Sequence, residues 1–148
     1  MYTYIFFDFD GTIYDTVEGI TKCVRYALRK RGMDAPLEEL RCFAGPPLEA
    51  MFREKFGFDE AEAAQATRDF RERYVPIGLY ESRSFSGVRE MLESLRAAGK
   101  KLAVTTSNRP EVFTPALEAG GAAELFDVVC TGADVNDADK RTGEIYLE

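Results

Sequence analysis

A chain of 148 residues can hold one domain with a real core plus a small insertion, and 45% apolar against 30% charged residues describes a globular protein rather than a disordered one. The net charge of -7 argues against a general nucleic-acid binder, which needs a basic surface, but leaves room for a phosphorylated substrate held at one local cationic site. The sequence contains no histidine, so Ser-His-Asp and Cys-His nucleophile systems are excluded and acid–base chemistry falls to carboxylates, Lys, Tyr or Cys.

Met1-Tyr2-Thr3-Tyr4 has no basic region ahead of an apolar stretch, which argues against a signal peptide, and no apolar run approaches the length of a membrane span. Tyr4-Ile5-Phe6-Phe7 predicts a strand buried on both faces, as in a parallel sheet, ending abruptly at Asp8. Val17, Ile20, Val24, Ala27 and Leu28 then mark an amphipathic helix closed by Gly32. Two shorter helices are expected over Leu37–Phe43 and Leu48–Phe56, separated by Gly45-Pro46-Pro47, and a fourth over 59–74 with Ala63, Thr67, Phe70 and Tyr74 on one face. Strand patterns are absent from this stretch.

From Gly87 the pattern changes. Val88, Met91, Leu92 and Leu95 follow helical spacing up to Gly99, and 101–105 reads as a strand ending in Thr106-Ser107-Asn108. Pro110 opens another helix, with Pro115 close to its start, and 126–130 reads as a third strand. This alternation predicts an α/β fold with a Rossmann-like parallel sheet, built from 1–15 and 85–148, and an all-helical insertion over 16–84. Cys23, Cys42 and Cys130 form no CxxC pair, so they read as reduced thiols of a cytoplasmic protein rather than a zinc or redox site.

In open parallel sheets, ligands bind beyond the carboxyl ends of the strands. Asp8 and Asp10 lie there, two residues apart. One carboxylate could attack phosphorus while the other moves a proton, and Gly11 lets the chain turn sharply and approach an anion. Asp-Gly alone is equally an acidic surface turn. The run Ile5-Phe6-Phe7-Asp8-Phe9-Asp10-Gly11-Thr12-Ile13-Tyr14-Asp15-Thr16 is more specific: it resembles the first signature of the haloacid dehalogenase superfamily, DxDGT/V after a first strand. The resemblance spans essentially the whole chain.

The resemblance implies that Asp8 is a nucleophile forming an aspartyl-phosphate and that Asp10 is a general acid, then base. An acid at Asp10 favours phosphoryl transfer over dehalogenation. Thr106 matches the second family motif, a Ser or Thr at a strand end, with Ser107 adding its N–H; taken alone, such residues before a helix are ordinary caps. Lys140, in Lys140-Arg141-Thr142-Gly143-Glu144-Ile145-Tyr146-Leu147, resembles the family's KPxPEIF/YL lysine, with Arg141 and Gly143 replacing both prolines. Phosphoryl transfer to a carboxylate sets anion against anion, which a hard divalent cation relieves, so magnesium is the expected cofactor, held by Asp8 and, by resemblance, the main-chain carbonyl of Asp10.

The helical insertion resembles a C1-type cap, and Phe43-Ala44-Gly45-Pro46-Pro47-Leu48 is similar to a cap segment of phosphoglycolate-phosphatase-like members. Arg41 beside it could meet a substrate anion or simply be a solvated helix charge. The family's GDxxxD metal motif does not follow Lys140; Gly132-Ala133-Asp134-Val135-Asn136-Asp137 precedes it and reads as a loop. The sequence therefore reads as the N-terminal portion of such a core, with a sheet edge left open to association. The implied activity is a magnesium-dependent phosphatase for a small phosphorylated metabolite. A phosphosugar mutase and an inactive binding fragment are the alternatives.

Overall fold

A computed structural model describes residues 3–106, 108 and 110–131. In chain order its strands and α-helices are β1 (Tyr4–Asp8), β2 (Tyr14–Asp15), α1 (Val17–Arg29), α2 (Leu48–Phe56), α3 (Glu60–Tyr74), β3 (Arg83–Ser84), α4 (Val88–Ala97), β4 (Lys101–Thr105), α5 (Pro110–Ala119) and β5 (Val128–Cys130). The chain divides into two compact units, one holding the residues up to Asp15 and those from Arg83 onward, the other Thr16–Ser82.

In the first unit β1, β4 and β5 form a parallel sheet in the order β1-β4-β5. The central strand is buried on both faces, with Leu102, Ala103 and Val104 all at 1% exposure or less. The same expectation fails for β1, where Tyr4 is 57% and Phe6 50% exposed. Among the described residues β1 pairs along β4 alone.

The third strand starts at Val128, two residues later than its apolar pattern suggests. A 3-10 turn over Ala123–Leu125 precedes it. Asp127 then pairs with Leu102 through its side chain: its N–H donates to the Leu102 carbonyl at 2.8 Å, while its carboxylate, not its carbonyl, accepts the Leu102 N–H at 2.9 Å. That backbone hydrogen bond, with Lys101 beside it, holds the Asp127 carboxyl below its ordinary value.

A two-stranded antiparallel ribbon, β2 with β3, was not visible in the sequence pattern; Tyr14 lies opposite Ser84 and Asp15 opposite Arg83. It keeps Arg83 and Ser84 with the α/β unit. The helix from Pro110 continues through Pro115, with Phe113, Ala116 and Leu117 buried.

The second unit is helical. Ile20, Val24, Ala27 and Leu28 form the buried stripe of α1, and Ala63, Thr67, Phe70 and Tyr74 that of α3, as their spacing predicts. Asp59 caps α3 in a reciprocal box with Glu62. Leu37–Phe43 is a 3-10 helix rather than an α-helix. There Arg41 is exposed and lies 3.8 Å from Glu38, consistent with its reading as a solvated charge. Asp69, only 4% exposed, is the buried charge of α3; Lys30 at 2.8 Å, Arg31 at 2.7 Å and Gln65 at 3.2 Å all donate to it. Among the described residues no helix is long and apolar enough to cross a membrane.

Candidate active site

The parallel register sets the site. Asp8, the last residue of β1, lies level with Thr105, the last residue of β4, and Thr105 lies level with Cys130 at the end of β5. The segments that leave these strands therefore emerge at one edge of the sheet, where such folds bind ligands.

Alternation along the chain separates Asp8, Phe9 and Asp10. Phe9 is 2% exposed, packed edge-on against Phe113 at 4.7 Å and stacked on Tyr14 at 5.0 Å. Burying that ring anchors the segment between two acids that are themselves only half-buried. Burial also pushes the Tyr14 phenol up, so the stacked ring is a neutral packing group at physiological pH.

The turn that follows is tight. The Phe9 carbonyl accepts the N–H groups of Thr12, Ile13 and Tyr14 at 3.1–3.2 Å, and the Gly11 N–H donates to the Tyr14 carbonyl at 2.8 Å. Closing it requires the left-handed conformation of Gly11, φ 75°, which a residue with a Cβ adopts only with strain. The Thr12 hydroxyl lies 3.4 Å from Asp8 Oδ2, a long contact.

On the neighbouring strand end Thr106 is 1% exposed, and its N–H extends the sheet by donating to the Cys130 carbonyl at 3.0 Å. Its Oγ1 accepts the main-chain N–H of Asn108 at 3.1 Å. A hydroxyl that accepts one hydrogen bond keeps its own proton to donate. The Asn108 side chain crosses to the first motif, where Nδ2 donates to Asp10 Oδ2 at 2.7 Å. Asp8, Asp10, Gly11 and Thr106 are thus gathered at one sheet edge by two adjacent strand ends, and Asn108 joins Asp10 to Thr106. In the sequence Asn108 reads only as part of a cap. Ser107 and Lys140, both expected at the phosphate, lie outside the described residues, as does the stretch 132–137 that was expected to be a loop.

The Asp8 carboxylate and the Asp10 carbonyl are hard oxygen donors, the type magnesium takes, and this ion commonly keeps several waters beside one or two carboxylates and a substrate phosphate. Among the described residues no group of three or more His, Cys, Asp or Glu side chains is arranged to hold a metal. The donor chemistry fits; the two protein oxygens would share the ion with water and phosphate.

A family model for haloacid dehalogenase-like hydrolases matches residues 5–147. The chain belongs to this family.

Among haloacid dehalogenase-like relatives, a 5'-nucleotidase of Pseudomonas aeruginosa is 49% identical over 113 residues, which are 76% of this chain and 51% of that protein. A phosphoglycolate phosphatase of Nitrosospira multiformis is 31% identical over 136 residues, 86% of this chain and 60% of that protein. The chain therefore spans about half to three fifths of the length of these relatives. The crystal structure of a putative phosphatase from Clostridium difficile superposes with a TM-score of 0.87 at 32% identity, covering 99% of this chain and 68% of that one.

Proposed function

We propose that this protein is a magnesium-dependent phosphatase that hydrolyses a small phosphorylated metabolite through an aspartyl-phosphate on Asp8. The observation that carries the reading is the level pairing of Asp8 with Thr105, which brings the Asp8–Gly11 turn and Thr106 to one edge of the sheet. Family membership and the phosphatase and nucleotidase names of the relatives support it.

In the first step an Asp8 carboxylate oxygen attacks phosphorus and the bond from phosphorus to the ester oxygen breaks. Asp10 delivers a proton to the departing oxygen. In the second step water attacks phosphorus, Asp10 takes up a proton from it, and the acyl-phosphate bond breaks to free phosphate and the Asp8 carboxylate. The Thr106 hydroxyl holds a phosphoryl oxygen, joined in this reading by the Ser107 N–H and the Lys140 ammonium. Asp8 and the Asp10 carbonyl would hold magnesium, which supplies charge neutralisation between the attacking carboxylate and the phosphoryl group. The helical unit of Thr16–Ser82 acts as a specificity cap.

The substrate class is a small phosphomonoester. The phosphoglycolate phosphatases among the relatives favour a phosphorylated carboxylic acid, and the nucleotidase favours a nucleoside 5'-monophosphate. Phosphate release from a panel holding both, with and without a magnesium chelator, tests the reading. Turnover that requires magnesium and disappears in Asp8→Asn with the fold retained is expected. Unchanged turnover in Asp8→Asn would remove the nucleophile assignment.

A further inference from the structure

We propose that Asn108 is a positioning residue that aims the Asp10 carboxyl at the leaving group and locks it to the phosphate-binding strand end. The proposal deepens the phosphatase reading and rests on it.

Three features carry the inference. The amide–carboxylate hydrogen bond from Asn108 Nδ2 to Asp10 Oδ2 is short, 2.7 Å, and part-buried. Oδ2 can accept this hydrogen bond whether the carboxyl is ionised or carries its proton on Oδ1, so the restraint persists in both forms. Second, the main chain of Asn108 is itself anchored, since its N–H donates to Thr106 Oγ1 at 3.1 Å. Asn108 therefore measures the gap between Asp10 and the threonine proposed to grip the phosphoryl group. Third, it reaches Asp10 from the other side of the fold's topology, across 98 residues of sequence. Asp10 follows the buried Phe9 and precedes the Gly11 turn, so its backbone is set, and Asn108 adds a restraint on its side-chain torsions.

The bond also has a direction. An amide N–H can donate to a carboxyl oxygen but cannot accept its proton. While the bond to Oδ2 is held, the proton that Asp10 passes to the ester oxygen travels on Oδ1. The balance of the step is unchanged: the phosphorus–ester-oxygen bond breaks, and the proton from Oδ1 appears on the alcohol.

Side-chain substitution isolates this role, because the main-chain N–H to Thr106 survives in any variant except proline. The discriminating readout is leaving-group dependence. An alkyl phosphate needs a proton on its departing oxygen, whereas p-nitrophenyl phosphate departs as a stable phenolate and needs little help. The quantity to follow is kcat/KM, which reports the phosphorylation of Asp8 and not the hydrolysis step common to all substrates.

With the full-length protein and magnesium, Asn108→Ala should lower kcat/KM for an alkyl phosphate by roughly 10–100-fold, a part of what a positioned general acid contributes, and change the aryl ester by less than about 3-fold. Asp10→Asn should show the same divergence more strongly. Should Asn108→Ala fail to fold, Asn108→Gln, whose amide sits one methylene further out, is expected to give the same divergence at smaller size. Equal effects on both esters in the Asn108 variant, with divergence in Asp10→Asn, would overturn the positioning role alone. Absence of divergence in Asp10→Asn would remove the general-acid role on which the positioning rests, and a wild-type protein inert towards both esters would overturn the phosphatase reading beneath it.

Discussion

Asp8 and Thr105 are register partners at the carboxyl ends of two adjacent parallel strands. One hydrogen-bonded ladder thus fixes where the Asp8–Gly11 turn and Thr106 begin, and errors in that ladder would reach the site directly. The consequences are clearest where single atoms can be removed or added.

The hydroxyl of Thr106 is buried and accepts the Asn108 N–H. Thr106→Val keeps the shape and removes that acceptor. Leaving the N–H unsatisfied should cost about 1–2 kcal/mol of stability, and losing one phosphoryl-oxygen donor should lower kcat/KM by roughly 10–100-fold. Thr106→Ser keeps both functions and should stay near wild type. Thermal melts and initial rates on the three proteins check both numbers.

Gly19 lies inside α1, where propensity alone would make alanine stabilising by about 1 kcal/mol. The packing reverses that sign. A Cβ on Gly19 would overlap the main-chain carbonyl of Gly78 and come within 3.1 Å of Ser82 Oγ. Neither backbone can yield without moving a helix, so Gly19→Ala should destabilise by about 1–3 kcal/mol. Urea unfolding followed by helical circular dichroism gives the sign.

Burial of Asp69 works against its ionised form, yet the hydrogen bonds from Lys30, Arg31 and Gln65 outweigh that and hold its carboxyl below the ordinary value. The folded-state pKa is therefore depressed relative to the unfolded chain. Its contribution to stability is present in full above about pH 4, the unfolded value, and is lost as pH falls through the folded one. Asp69→Asn should cost roughly 2–3 kcal/mol near neutral pH, the lower side of breaking a buried pair because Lys30 and Arg31 keep contact with water. The gap between wild type and variant should stay flat from pH 7 to about 4 and narrow below it. Unfolding curves taken stepwise into acid measure it.

Much of this architecture was legible in the residues. Helical stripes such as Ala63, Thr67, Phe70 and Tyr74 were readable because burial on a helix repeats every three to four residues. The three parallel strands were readable from short apolar runs, with Asp8 ending the first and Thr106 following the second. The exposure of Tyr4 and Phe6 among the described residues was not, because an apolar run carries no information about what packs on its strand. The β2–β3 ribbon is two residues per strand, too short for alternation to register. The late start of β5 depends on the Asp127 carboxylate standing in for a backbone acceptor, a tertiary contact with no local signature. The link from Asn108 to Asp10 escaped for the same reason. The expectations for Ser107 and Lys140 fall outside the described residues.

In the proposed mechanism Asp8 carries the phosphoryl group. Mixing the full-length protein with magnesium and a small phosphomonoester, quenching in acid, reducing with labelled borohydride and mapping the peptides tests it most directly. Label is expected on the peptide carrying Asp8, at the Asp8 position, and none in Asp8→Asn. Steady turnover with the label on another residue, or with no covalent intermediate trapped at any quench time, would contradict it.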